Sequence, residues 1–422
     1  MKTVKIKISI LILGLMLTFQ AKSIYLLIPM DDVQKNHLKA YGITFWVLQN
    51  DIEVKWLLNY RGGSFLMQHS SAIENECVVR GVTFEAVTDG QTAAILDGIA
   101  QPDVNQDAVA MNKAPKIAVY SPPNKQPWDD AVTLVLTYAE INYDVIYDEE
   151  IINGKLSEFD WLHLHHEDFT GQFGKFWRVY QNAPWYQQEV NINNQLAKKL
   201  GFLKVSEMKS VVTREIEKYV INGGFLFAMC AATDTYDISL AAVGVDICET
   251  MFDGDPADKQ AQEKLDFNHT FAFRNFQLNT DPFAYEFSNI DATDTRQVIR
   301  ENDYFTLFDF SAKWDPIPTM LCQNHRNLIK GFMGQTTAYR KDLLKTSSLV
   351  MGENKTANEA RYIHGEKGKG FWTFYGGHDP EDYRHLVGDT PTDLSLFPTS
   401  PGYRLILNNV LFPAAKKKKR KT

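Results

Sequence analysis

One stretch decides the fold: Asn222-Gly223-Gly224-Phe225-Leu226-Phe227-Ala228-Met229-Cys230-Ala231-Ala232-Thr233-Asp234, in which an apolar run enters a turn of small residues. The run predicts a buried strand. A sharp strand-to-helix turn that carries a nucleophile needs small side chains two residues to either side, and Ala228 and Ala232 stand there. A following helix would direct free N–H groups at Cys230 and favour its thiolate. Cys230 is therefore a candidate nucleophile, and the alternative is a buried core cysteine.

Strands and helices alternate before this stretch, a pattern typical of a mostly parallel sheet with helices on both faces. The predicted strands are 116–120, 143–147, 161–164 and 225–229, and the predicted helices are 129–141, 194–200 and 206–221. Ligands of such sheets bind beyond the carboxyl ends of the strands. We therefore expect Cys230 and the histidines after residue 162 to share one edge.

The rest of the chain divides around this unit. Residues 24–111 predict a smaller N-terminal α/β unit, and the polar segment 101–115, bounded by prolines, predicts a linker. Residues 112–415 form the main predicted domain. Within it, residues 249–345 lack a clear hydrophobic period and predict a large insertion that caps the site.

The two ends of the chain have their own signals. Lysines precede a short apolar run that ends in Ala21-Lys22-Ser23, so residues 1–23 predict a signal peptide and an exported, periplasmic or extracellular protein. Residues 416–422 form a basic tail that could touch an anionic surface. The net charge of −8 gives no support to nucleic-acid binding, and four cysteines are too few for a disulfide scaffold.

Histidines and acids cluster in Trp161-Leu162-His163-Leu164-His165-His166-Glu167-Asp168. Strand alternation places His163 and His165 on one face. With a carboxylate such as Glu167 or Asp168, they could hold a divalent metal. The alternative is that one of the three histidines belongs to the core and the others line a wet pocket. In that case His163, His165, His166, Glu167 and Asp234 are the candidate substrate-binding residues.

Separated motifs carry a family resemblance. Residues 223–234, the glycine turn Gly365-Glu366-Lys367-Gly368-Lys369-Gly370 and the later Tyr375-Gly376-Gly377-His378-Asp379 resemble the ThuA-like branch of the class I glutamine amidotransferase-like superfamily. The resemblance implies a flavodoxin-like sheet. This chain has Cys230 at a position where ThuA-like proteins usually have histidine and where amidotransferases have their nucleophilic cysteine. His378-Asp379-Pro380-Glu381 is one residue longer than the amidotransferase His-Pro-Glu motif, so either Asp379 or Glu381 could orient His378.

The whole chain also resembles exported bacterial proteins labelled asparagine synthetase B. The motifs do not support that chemistry, since Lys2 rather than cysteine follows Met1 and a Ser-Gly-Gly-x-Asp-Ser loop for ATP is missing from the sequence.

Three functional hypotheses follow. The first is a cysteine-dependent hydrolase or amidase that acts on a small polar substrate, with Cys230 as nucleophile, His378 as general base and Glu381 or Asp379 as the orienting acid. The second is a non-catalytic protein that binds a carbohydrate or another small ligand. The third is metal-assisted action on sugars, with the metal held by the histidines and acids of residues 163–168.

Overall fold

The computed structural model describes residues 25–292, 302–384 and 386–415. The predicted signal peptide and basic tail lie outside these residues. The described part is a mixed α/β structure with two sheets. None of its helices is both long enough and apolar enough to cross a membrane.

The N-terminal unit contains an antiparallel sheet in the order β4-β1-β3-β2-β5. Its strands are β1 (Tyr25–Ile28), β2 (Val54–Leu58), β3 (Ser64–Gln68), β4 (Glu85–Val87) and β5 (Asp107–Met111). Its helices are α1 (His37–Gln49), α2 (Ser71–Arg80) and α3 (Asp89–Ala100). The prediction that 101–115 is only a linker is wrong, because β5 pairs along the length of β2.

The second sheet contains the predicted parallel strands. Neighbouring parallel pairs give the order β7-β6-β8-β9-β15. These strands are β6 (Ile117–Tyr120), β7 (Asp144–Ile146), β8 (Trp161–Leu164), β9 (Phe225–Met229) and β15 (Gly370–Tyr375). The prediction that four of them lie side by side is confirmed.

The same sheet continues with antiparallel strands beyond β15. They are β10 (Tyr304–Leu307), β11 (Leu328–Lys330), β12 (Tyr339–Arg340), β13 (Leu349–Asn354) and β14 (Glu359–Lys367). Three of these strands come from residues 249–345, so the prediction of a pure cap is corrected. The segment supplies sheet edge as well, because β10 pairs with β13 and β12 pairs with β14.

The second unit also contains helices, and both faces of its parallel strands are covered by some of them. The helices are α4 (Ala131–Ala139), α5 (Asp148–Ile152), α6 (Trp177–Tyr180), α7 (Pro184–Lys199), α8 (Val205–Ile221), α9 (Ala232–Ala241), α10 (Thr250–Asp253), α11 (Ala261–Lys264), α12 (Pro316–Leu321) and α13 (Pro401–Leu411). Alternate strand residues explain the layers. Phe225 and Phe227 share a core with α4 and α13, whereas Leu226 and Ala228 share one with α8 and α9.

Helix α1 joins the two units by packing on α4 and α13. The approach to α4 is close, since a Cβ added at Gly42 would lie 1.8 Å from the carbonyl oxygen of Ala139. From α13, the buried Arg404 reaches back and donates to the carbonyl oxygen of Met30 at 2.9 Å. The N-terminal unit is therefore tied to the main sheet by packing and by hydrogen bonds.

Candidate functional site

Three chain segments meet at the carboxyl edge of the parallel strands. The N–H of Ala232, after β9, donates to the carbonyl oxygen of His165, after β8, at 2.9 Å. The N–H of Cys230 donates to the carbonyl oxygen of Gly377, after β15, at 3.2 Å. The prediction that Cys230 and the residue 163–168 segment share an edge is confirmed, and the His378 loop joins them.

Cys230 occupies a strained turn. Its φ is +54°, a left-handed conformation that non-glycine residues adopt rarely and often at functional sites. The cysteine is free and buried. Burial raises the pKa of its thiol to about 12, although the backbone N–H groups of Ala231 and Gln335 act in the opposite direction. We expected the turn to favour the thiolate of Cys230, but the structure favours the neutral thiol. Desolvation raises the pKa of the thiol by more than the nearby N–H groups lower it.

Two buried acids lie near this thiol. Asp234, in the first turn of α9, accepts a hydrogen bond from Thr336 Oγ1 at 2.8 Å, and the N–H of Thr336 donates to Asp291 Oδ2 at 2.9 Å. Burial, followed by the Asp291 charge, raises the pKa of Asp234 well above its ordinary value. Asp234 and Asp291 in turn act to raise the pKa of the Cys230 thiol. Asp234, expected to bind substrate, is therefore enclosed behind the turn.

His165, His166 and His378 form one cluster. The ring centroid of His165 lies 4.6 Å from that of His166 and 4.4 Å from that of His378. The ring centroids of His166 and His378 lie 5.4 Å apart. One ligand nitrogen from each of the three lies within 4.8 Å of the others. His165 and His378 are buried, and His166 is partly exposed. The cluster combines histidines that are more than 200 positions apart in the sequence.

Asp130 links a second pair of histidines. Its Oδ2 lies 3.1 Å from His163 Nε2 and 3.1 Å from His165 Nδ1. Its Oδ1 accepts the N–H of Thr133 at 2.8 Å and so caps α4. Burial alone would raise the pKa of Asp130, but the two imidazoles bring it well below its ordinary value. These three side chains form a second group whose ligand atoms lie within 4.8 Å of one another.

Glu167 is not the carboxylate of this group. It is buried, and burial raises its pKa to about 8, with Lys209 lowering it and Glu189 raising it. The expectation that Glu167 completes a metal shell with His163 and His165 is corrected to Asp130. The reason is that β8 ends at Leu164, so strand alternation does not extend to position 167.

The two acids after His378 shape a turn and the start of α13. Asp379 Oδ1 accepts the N–H of Glu381 at 2.8 Å and that of Asp382 at 3.3 Å. Glu381 accepts a hydrogen bond from Ser400 Oγ, and Ser400 caps α13. Both acids therefore have structural partners close to the site.

The loop after β6, residues 121–130, contacts the histidines through Trp128 and Asp130. Within the described part of the chain, buried polar atoms of Asn124 (Nδ2 and Oδ1), Gln126 (Oε1) and Trp128 (Nε1) have no hydrogen-bond partner. The Trp128 ring lies 5.0 Å from that of His166. It also lies 5.3 Å from Phe176 and 5.2 Å from Trp185. We call Trp128, Phe176 and Trp185 the aromatic wall.

Sequence reasoning missed this loop and Asp130. Trp128-Asp129-Asp130 directly precedes a helix and follows a buried strand, so the rule that ligands bind beyond strand ends could have found it. The sequence around Asp130 does not itself indicate that this side chain contacts His163 and His165.

No protein-family model and no curated protein matches the chain. Solved structures with some similarity include the cytoplasmic protein STM3548 from Salmonella typhimurium, with a TM-score of 0.35 and 11% identity over 72% of this chain and 100% of that one. The cytoplasmic protein STM1381 from Salmonella typhimurium LT2 has a TM-score of 0.33 and 12% identity over 71% and 100%. The exo-beta-1,4-mannosidase Op5Man5 from Opitutaceae bacterium strain TAV5 has a TM-score of 0.30 and 10% identity over 72% and 37%.

Proposed function

We propose that this chain is an exported protein that binds a small polar ligand, such as a carbohydrate, at the carboxyl edge of its parallel strands. The observation that carries the proposal is the set of buried polar atoms of Asn124, Gln126 and Trp128 without hydrogen-bond partners, in the loop whose Trp128 ring lies 5.0 Å from that of His166. A buried polar group without a partner costs about 1–3 kcal/mol. A ligand that offers both donors and acceptors would offset that cost.

The topology supports this location. The order β7-β6-β8-β9-β15 corresponds to the 2-1-3-4-5 order of flavodoxin-like sheets, in which ligands bind where the strand order reverses. The reversal lies between β6 and β8. The 121–130 loop follows β6, and the His165–His166 pair follows β8.

The aromatic wall supports the nature of the ligand. Flat aromatic faces beside polar groups suit a ring that is apolar on one side and carries hydroxyl groups at its rim. The same loop carries the carboxylates of Asp129 and Asp130, which are hydrogen-bond acceptors. Neutral polyhydroxylated ligands therefore fit the site better than anionic ones.

Calorimetric titration of metal-stripped protein with a panel of neutral mono- and disaccharides tests this proposal. At least one sugar should bind, and Trp128→Ala should weaken that binding by about 10-fold or more. Trp314→Ala is the matched control, because Trp314 is exposed and lies outside the site. Binding that Trp128→Ala leaves unchanged, or failure of every sugar in the panel, would count against the proposal.

A cysteine-dependent hydrolase or amidase is the second candidate, favoured by the positive φ of Cys230 and by the two backbone N–H groups that face its thiol. Nucleophile turns of this kind expose a strained residue to substrate. In this proposal His378 is the base, and Asp379 or Glu381 orients it. A panel of amide and ester reporters tests it. Activity should disappear in Cys230→Ala and in His378→Gln, and activity that survives Cys230→Ala would exclude the role of Cys230.

A further inference from the structure

We propose that His165, His166 and His378 together bind one divalent transition-metal ion of the zinc type. This site differs from the His163, His165 and Glu167 set expected from the sequence. It requires only the ligand-free protein, so it stands or falls independently of the proposed sugar binding.

The spacing of the three imidazoles fits such an ion. A tetrahedral zinc with Zn–N bonds of about 2.0–2.1 Å places its ligand nitrogens about 3.4 Å apart and its imidazole centroids about 5 Å apart. The observed centroid separations of 4.4, 4.6 and 5.4 Å bracket this value. The nitrogens lie within 4.8 Å of one another, so they need to approach by at most about 1.4 Å.

The surroundings fix two of the ligands in advance. Asp130 Oδ2 lies 3.1 Å from His165 Nδ1, so Nε2 is the His165 nitrogen that is left for the metal. Metal-binding histidines commonly have a carboxylate on their other nitrogen. The backbone N–H of His378 donates to the carbonyl oxygen of Met333 at 3.0 Å, which anchors the loop after Gly377.

The charges around the cluster favour a cation. Three neutral imidazoles leave the charge of a divalent ion uncompensated. Asp130 borders His165, and Asp129 interacts electrostatically with Asp379 and with His165. These carboxylates repel one another less when a cation lies among them.

The fourth coordination position has a route to solvent. His166 is the partly exposed member of the cluster, and the side chain of Trp128 borders it. A three-histidine site with one open position is the arrangement of catalytic zinc centres, in which water or a ligand oxygen takes the fourth place. Nitrogen ligands also suit cobalt, nickel and copper, so Co²⁺ can report the geometry.

The experiment uses the full chain without an affinity tag, stripped of metal by a chelator. Competition with a chromophoric chelator should show one tightly bound Zn²⁺, and Co²⁺ should give the intense visible absorption of a tetrahedral site. His166→Gln and His378→Gln should each weaken Zn²⁺ binding by about 100-fold or more. Circular dichroism of each variant checks that it remains folded.

Three further variants sharpen the result. Asp130→Asn should weaken Zn²⁺ binding by about 10- to 100-fold through His165. Glu167→Gln and His69→Gln should leave it unchanged, since Glu167 belongs to neither histidine group of the site and His69 pairs with Glu74 in the N-terminal unit. The proposal is overturned if folded wild-type protein binds no Zn²⁺, if His166→Gln and His378→Gln bind it as wild type does, or if only Glu167→Gln weakens it.

Discussion

At Cys230, backbone geometry and burial act in opposite directions. The left-handed φ of +54° brings the residue to the top of β9, where a nucleophile would be presented. Enclosure of the same side chain raises the pKa of its thiol to about 12. The strain of the turn is therefore present without the ionisation that a nucleophile requires. For Cys230 to ionise, a bound substrate would have to displace the groups that enclose its thiol.

Thiol labelling tests the state of this residue. Burial raises the pKa of Cys77 and of Cys230 to about 12 each and also raises those of Cys248 and Cys322. Since the thiolate is the reactive form, all four should react slowly with a disulfide reagent at pH 7 in the native protein and rapidly after unfolding. Rapid native labelling that disappears in Cys230→Ser would show an ionised Cys230 and would favour the hydrolase proposal.

A partly buried carboxyl group in α7, that of Glu189, gives a pH prediction. Glu189 has a pKa raised to about 7, mainly by burial, with Lys209 lowering it and Asp168 raising it. A raised pKa means that the stability present at low pH is lost as the pH rises from about 4.5 to about 7. The free energy of unfolding of wild type should therefore fall relative to Glu189→Gln across this range, by about 1–3 kcal/mol.

Urea denaturation at several pH values measures the difference. Glu263→Gln, at an exposed position in α11, controls for the removal of one negative charge. A wild-type protein that tracks Glu189→Gln at every pH would contradict the prediction.

At the scale of the elements, strand ends bring the site together. The loops after β6, β8 and β15 supply Asp130, His165 and His378, and the turn after β9 supplies Cys230. Parallel strands place these ends at one edge, and this is why the sequence could predict that Cys230 and the histidines after residue 162 lie together. It could not predict which carboxylate would join them, because Asp130 acts as a helix cap and as a histidine partner at once.

The contact of α1 with α4 gives a prediction about packing. Gly42→Ala would place a methyl group 1.8 Å from the carbonyl oxygen of Ala139, which requires the helices to move apart. We expect a loss of about 1–3 kcal/mol in the free energy of unfolding. Gly98→Ala in α3 is the matched control, since nothing lies within 4 Å of its added Cβ. That change should stabilise the protein by about 0.5–1 kcal/mol.

Chemical denaturation of both glycine variants provides the measurement. Equal effects of the two substitutions would mean that α1 and α4 do not pack as closely as described.

At the scale of the whole molecule, local signals succeeded where strands are apolar throughout and failed where pairing is tertiary. Strands β6, β8 and β9 are buried along their full length, and they stand out as short runs that are apolar except for His163 in β8. Strand β5 begins at Asp107 and is only partly buried, so it resembled a linker. Strand β10 has four residues that alternate between exposed and buried, and its assignment depends on pairing with β11 and β13.

The junction of the two units depends on Arg404, and its removal is the last prediction. Arg404 is fully buried in α13 and donates to the carbonyl oxygens of Met30 and Gly62 and, at 3.1 Å, to Tyr41 Oη. Arg404→Ala leaves these acceptors buried without their donor. Because hydrogen bonds to charged groups contribute about 1.5–3 kcal/mol each, we expect a loss of more than about 3 kcal/mol in the free energy of unfolding.

Arg326→Ala is the matched control for this change. Arg326 also links the two units, through Asp32 at 3.1 Å, but both side chains are more than half exposed, at 59% and 67%. Exposed ion pairs contribute about 0–1 kcal/mol, so its loss should be small. Guanidinium denaturation gives both free energies, and limited proteolysis at residues 112–116 reports separation of the units. If Arg404→Ala is as mild as Arg326→Ala, apolar packing of α1 must hold the junction, because the polar contacts of α13 would then contribute little.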